Sequence, residues 1–211
     1  MTHDLLLALI MLTNFALVAT SRIAKSIQIA ALQGILLGLL LLTVGHGWHL
    51  HLTLMAVAAG VLKGLVIPRM LNRALKKVKI HREVDPYVGY TASLMLCALG
   101  TGVSLVLSRN LPLPSGTLNA LFVPASLATL FTGFLLLVTR RKALTQVVGF
   151  LVLENGIYIF ALLLAEEMPL LVEAGVLLDL FVGVFVMGIV LNHIHQAFDS
   201  LDTRHLSELK D

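Results

Sequence analysis

Three ionisable side chains lie near the middle of long apolar stretches: Lys63, Glu154 and Asp179. At about 1.5 Å of rise per helical residue, each lies very roughly 14–18 Å from one end of its helix, so the three share one depth. A charge at the centre of a bilayer opposes insertion by about 2.5–3.5 kcal/mol. Each side chain is therefore expected to face the protein interior, where it pairs or exchanges a proton.

Two explanations for these charges stay open. A buried ion pair, Lys63 with Glu154 or Asp179, would only fix how the helices pack. Alternatively, two acids and one lysine at a shared depth can pass a proton or a cation if water connects them. We take the three residues as candidates for proton or sodium translocation.

Three further ionisable residues are secondary candidates. Glu173 lies about one turn inside the end of the last apolar stretch, where exposure to lipid headgroups favours a plain surface acid. His193 and His195 follow the other end of that stretch and could feed protons to Asp179. None of these positions carries a pattern specific to one chemistry.

Neither a metal site nor a cofactor site is predicted. His46, His49 and His51 flank Trp48, and this pattern is more typical of an anchor at the membrane interface than of metal ligands. Cys97 is the one cysteine of the chain, which excludes a disulfide framework, an iron–sulfur cluster and a cysteine-based zinc site. No catalytic residue and no nucleic-acid partner are predicted.

The composition demands that lipid be the main solvent of the chain. Hydrophobic residues make up 58% of the 211 residues and charged residues 13%, with a mean hydropathy of +0.94. Soluble domains carry roughly 25% charged residues. A bilayer span takes about 20 residues, so the sequence predicts an all-α polytopic membrane protein of about seven transmembrane helices. The apolar stretches are Leu5–Ser21, Ile27–Val44, Leu50–Leu71, Tyr87–Leu107, Thr117–Val138, Ala143–Leu164 and Leu170–Leu191.

Lysine and arginine predict the orientation. Basic connections alternate with connections that hold only Arg109 or the acidic pair Glu166 and Glu167. The positive-inside rule then places the N-terminus outside and the C-terminus in the cytoplasm. The basic residues are Arg22, Lys25, Arg73, Lys76, Lys77, Lys79, Arg82, Arg140, Arg141 and Lys142.

A faint internal repeat predicts how this single membrane domain, residues 1–211, is organised. Ala59–Leu62 recurs as Ala174–Leu177, and Arg22 with Gln28 recurs as Arg140 with Gln146. Repeats of this kind indicate parallel structural units, although short apolar matches also arise by chance. The expected units are a three-helix unit over 1–72, a linking helix over 87–107, a second three-helix unit over 117–192 and a cytoplasmic tail over 193–211.

The last three apolar stretches resemble the K subunit of proton-pumping NADH:quinone oxidoreductase. The resemblance is carried by the basic run at Arg140, by Gly149 and Asn155, by Asp179-x-x-x-Gly183 and by the tail ending Ser207–Lys210. It implies that residues 117–192 form a K-subunit-like unit whose membrane acids take part in proton translocation. One departure is that the family's first glutamate would fall at Leu151, whereas here the acid is Glu154.

Over nearly its whole length the chain resembles component E of hydrogenase-4. The motifs are Lys63–Pro68, Gly149 with Glu154–Gly156, and Pro169 with Leu171–Glu173 and Gly175 before Asp179. The resemblance implies an accessory membrane subunit of an energy-converting oxidoreductase, a group 4 nickel–iron hydrogenase, that performs no redox chemistry itself. It also implies antiporter-like and hydrogenase-anchoring partner subunits in a bacterial or archaeal plasma membrane.

Two other functions stay open at this point. The C-type subunit of a multi-subunit cation/proton antiporter resembles the same three-helix unit, although four additional helices count against it. A purely structural subunit would use the mid-membrane charges for packing alone. The coupling ion, H⁺ or Na⁺, is also left open, because carboxylates suit both.

Overall fold

The computed structural model describes residues 2–44, 60–77, 86–110, 121–163 and 188. Within these ranges the chain is all-α, and five helices are long and apolar enough to cross a membrane. The predicted all-α membrane architecture is confirmed, whereas the count of seven spans and the orientation stay predictions. The helices are α1 (Thr2–Ala19), α2 (Ile23–Val44), α3 (Ile67–Lys77), α4 (Tyr90–Asn110), α5 (Phe122–Thr139) and α6 (Ala143–Leu163), and the shorter α3 is preceded by a π-helical turn at Leu62–Val66.

Two helical hairpins of nearly equal dimensions form the centre of the described structure. The helices α1 and α2 span 18 and 22 residues, and α5 and α6 span 18 and 21. A link of three residues joins each pair, residues 20–22 in one hairpin and 140–142 in the other, and so short a link makes the two helices antiparallel.

The two hairpins lie side by side with equivalent helices parallel. At one end the His3 ring meets the Phe122 ring with centroids 6.5 Å apart, and in the middle Asn14 bonds to Thr129. Parallel packing of this kind is what a duplication would produce. The division into two three-helix units itself stays a prediction, because the seventh apolar stretch lies outside the described residues apart from residue 188.

Glycines bring α5 and α6 into close contact. A Cβ atom on Gly156 would come within 2.5 Å of the Leu130 backbone nitrogen, and one on Gly149 within 2.9 Å of the Leu137 nitrogen. Without a hydrophobic driving force between helices in lipid, small residues allow the close van der Waals packing that holds them together. The helices α5 and α6 are therefore closely packed, and both contribute side chains to the polar cluster described below.

The helix α4 packs on the outside of this pair. The Cys97 sulfur lies 3.5 Å from the Thr132 hydroxyl, so one face of α4 meets α5. Met95, Leu99 and Val106 on other faces are 62–70% exposed. Exposed side chains of this size are suited to contact with lipid tails.

A buried arginine ties one end of the bundle together. Arg140 is 1% exposed, its Nη2 donates to the Val18 carbonyl at 2.8 Å, and its guanidinium lies 4.6 Å from the centroid of the Tyr90 ring. Val18 belongs to the last turn of α1, whose carbonyls lack helical partners. The two helices within each hairpin are antiparallel, and α1 is parallel to α5. The basic residues of both links therefore lie at this same end of the bundle, whereas Arg109 lies at the other end of α4.

Candidate functional site

Lys63 lies within an irregular turn of helix. Residues 62–66 form a π-helical turn, in which the Ile67 N–H donates to the Leu62 carbonyl five residues earlier. The backbone continues helically on both sides, because Val61 and Ile67 both have right-handed helical dihedral angles. Single π-helical turns within longer helices occur frequently at functional sites.

Two glycines allow this turn to approach α2. A Cβ atom on Gly34 would lie 2.8 Å from the Lys63 Cβ, and one on Gly64 would lie 2.6 Å from Cγ1 of Ile35. At each glycine, the backbone of one segment therefore lies against the first side-chain atoms of the other, as in membrane helix pairs that use small residues. This contact holds the Lys63 stem against α2.

The structure brings Lys63 and Glu154 together. The Lys63 Nζ lies 3.8 Å from Oε2 of Glu154, and the two side chains are 13% and 5% exposed. The same Nζ lies 3.5 Å from the Asn155 Oδ1 and 5.7 Å from the centroid of the Tyr158 ring. A carboxylate, an amide oxygen and a ring face from α6 thus surround one ammonium group.

The distances define the character of this contact. A charge-assisted N–H···O bond to a carboxylate is about 2.7–2.9 Å long. At 3.8 Å, the Lys63 Nζ and Glu154 Oε2 are instead within Coulomb range without a short bond to each other.

A chain of uncharged polar side chains extends from this pair across the bundle. The Asn155 Nδ2 donates to Gln33 Oε1 at 3.1 Å. The Gln33 Nε2 donates to Asn14 Oδ1 at 2.9 Å and to the Thr13 hydroxyl at 3.1 Å. The Asn14 Nδ2 donates to the Thr129 hydroxyl at 2.9 Å, so the chain links α6, α2, α1 and α5.

The sequence analysis missed most of these hydrogen-bonded polar side chains. Asn155 was named only for a resemblance, and Asn14, Gln33 and Thr129 were not singled out. The available signal was that Asn14 and Gln33 are amides within apolar spans, where such groups hydrogen-bond across helices.

The other candidate residues cannot be compared with the structure. Asp179, Glu173, His193 and His195 all lie outside the described residues, and so do the three histidines around Trp48. Their roles stay predictions.

Comparison with known proteins gives matches over most of the chain. No family model and no solved structure match it. The uncharacterized protein Rv0085 of Mycobacterium tuberculosis is 35% identical over 159 residues, which cover 74% of this chain and 71% of that protein. Hydrogenase-4 component E of Escherichia coli K12 is 25% identical over 206 residues, which cover 97% of this chain and 95% of that protein. The component E of Shigella flexneri matches with the same figures.

Proposed function

The chain belongs to one protein family with Rv0085 and is a homologue of hydrogenase-4 component E, and from that premise we propose that it is a membrane subunit of a hydrogenase complex. Its role is to contribute Lys63, Glu154 and Asp179 to proton or sodium translocation coupled to electron transfer. Electron transfer itself belongs to partner subunits, because a single cysteine cannot hold an iron–sulfur cluster.

The observation that carries this proposal is the ion pair between Lys63, in the π-helical turn before α3, and Glu154 of α6, with 3.8 Å between Nζ and Oε2. A buried pair is expensive to desolvate, and apolar residues of similar volume are often as stabilising or more so. Packing alone therefore gives little reason to place a lysine and a glutamate in the membrane interior. A group that must change its charge during function gives such a reason.

The proposed surroundings follow from the homologue. We place the chain in a bacterial or archaeal plasma membrane, against antiporter-like and hydrogenase-anchoring membrane subunits. Homology to component E covers 97% of the chain, which favours this role over a C-type antiporter subunit that resembles only the last three helices.

The experiment measures ion transport against electron transfer. The wild-type complex and the Lys63→Met and Glu154→Gln complexes are each assembled and reconstituted in proteoliposomes. The number of ions moved for each pair of electrons transferred is then compared among them. We expect both variants to assemble and to lower this ratio while electron transfer continues. The control is Lys25→Met, the same substitution at an exposed lysine near the start of α2.

The opposite outcome is equally clear. If Lys63→Met and Glu154→Gln assemble fully and transport ions at the wild-type ratio, the pair only fixes helix packing. The proposed role of Lys63 and Glu154 in translocation is then wrong.

A further inference from the structure

Gln33 occupies the centre of the buried polar chain. It is fully buried at 0% exposure, and three hydrogen bonds connect it to three other helical side chains. Its oxygen accepts from Asn155, and its nitrogen donates to Asn14 and Thr13. Both amide hydrogens of Gln33 are therefore in use, in the bonds to Asn14 and Thr13.

The Lys63 ammonium can only donate, so the Asn155 oxygen faces it, the Asn155 NH₂ faces Gln33, and the Gln33 oxygen accepts from that NH₂. If the oxygen and nitrogen were exchanged, the Gln33 NH₂ would face the NH₂ of Asn155 and its oxygen would face Asn14 Oδ1. Both contacts would be repulsive, and buried polar groups left without partners cost about 1–3 kcal/mol each. Gln33 in turn orients Asn155, because the bond from Asn155 Nδ2 to Gln33 leaves Oδ1 turned toward the Lys63 Nζ at 3.5 Å.

The amide groups are aligned in one sense. In Asn155, Gln33 and Asn14 the carbonyl oxygen lies on the side that leads to Lys63, and the NH₂ group lies on the far side. Hydrogen bonds in such a series polarise one another, and their dipoles add. The Lys63 ammonium thus meets the oxygen end of a series of three hydrogen-bonded amides.

We propose that Gln33 is a positioning residue of the Lys63–Glu154 site, which fixes the Asn155 oxygen toward the ammonium and keeps that ammonium beside the Glu154 carboxylate. This inference rests on the proposed function, since it gives the amide chain a part in ion transfer. Amide groups neither gain nor lose protons near neutral pH, so the chain holds the ammonium without passing protons onward.

The test observes Lys63 directly in the assembled complex. The chain is labelled with ¹⁵N-lysine in lipid bilayers, and Lys63→Met identifies the ¹⁵Nζ resonance of Lys63 by its loss. Gln33→Met keeps the unbranched shape and removes the acceptor for Asn155. We expect this variant to shift the Lys63 resonance and to lower the number of ions moved for each pair of electrons.

A second variant separates positioning from general packing. Thr129→Val breaks the far end of the same chain, where Asn14 donates at 2.9 Å, and leaves the bonds between Gln33, Asn155 and Lys63 in place. It is expected to leave the resonance unmoved. If Gln33→Met fails to assemble, Gln33→Asn, which keeps an amide but is one methylene shorter, takes its place.

The outcomes distinguish this inference from the proposed function. An unmoved Lys63 resonance in assembled Gln33→Met, or an equal shift in Thr129→Val, overturns the positioning role even if Lys63→Met abolishes transport. A shifted resonance in Gln33→Met alone supports the positioning role. If Lys63→Met then transports ions normally, the positioning role stands and the proposed function fails.

Discussion

Gly34 and Lys63 lie closer together than any side chain at position 34 would allow. A Cβ atom on Gly34 would lie 2.8 Å from the Lys63 Cβ and 3.0 Å from its backbone carbonyl carbon. The missing side chain of one residue therefore determines where the charge of the other is held. This dependence can be tested with a single methyl group.

Gly34→Ala is expected to lower the free energy of unfolding by about 1–3 kcal/mol, the usual cost of overpacking a close contact. It also displaces the Lys63 backbone and so changes the position of Lys63 relative to Glu154, so ion transport for each pair of electrons should fall. Reversible unfolding in mixed micelles and transport in proteoliposomes measure the two effects.

Gly102→Ala is the matched control for this methyl group. A Cβ atom at Gly102 meets nothing within 4 Å, although Gly102 is also inside a helix. It should be neutral or stabilise the helix by up to about 1 kcal/mol. Equal effects of the two substitutions would show that the contact between Gly34 and Lys63 has no special importance.

A double-mutant cycle tests the coupling of Lys63 and Glu154. Removing one partner of a buried ion pair costs about 3–5 kcal/mol, because the other charge stays buried. Lys63→Met and Glu154→Gln are each expected to destabilise the chain, while the double variant should regain most of the loss. Unfolding free energies of the four proteins give the coupling energy, and purely additive losses would mean that the two groups do not interact.

Asp179→Asn tests the third candidate, which rests on the sequence alone. The isosteric amide removes the ionisable group, so the complex should assemble while ion transport for each pair of electrons falls severalfold. Asp199→Asn, in the predicted cytoplasmic tail, serves as the control. Normal transport by a fully assembled Asp179→Asn complex would exclude Asp179 from the translocation path.

The predicted orientation can be tested by cysteine labelling in a Cys97→Ala background. Lys76→Cys, at an exposed position near the end of α3, should react from the cytoplasmic side. Glu167→Cys should react from outside. Labelling of both positions from one side would contradict the model of seven spans.

The sequence predicted the depth of Lys63 and Glu154 but left open which acid the lysine meets. Charges are conspicuous in an apolar run, so their positions along each helix could be read directly. Their contact depends on how the π-helical turn lies against α2, and this in turn depends on Gly34 and Gly64. Hydropathy carries no information on such close packing.

The amide chain was hidden for a different reason. Asn14 and Gln33 lie in helices that are apolar on average, and one uncharged polar residue barely changes the mean hydropathy of such a helix. Their bonding partners are up to 122 residues away along the chain. The helix α1 begins at Thr2, three residues before the apolar stretch that starts at Leu5.

The hydrogen bonds of Gln33 also impose an order on biogenesis. Asn14 lies 19 residues before Gln33, so these two amides can satisfy each other as soon as the first hairpin is synthesised. Asn155 follows Gln33 by 122 residues, which at about 5–20 residues per second is a delay of roughly 6–24 s. During that interval the Gln33 oxygen needs a temporary partner, a water molecule, a lipid headgroup or an insertion factor. The first hairpin is therefore inserted while one of its buried acceptors still lacks its final partner.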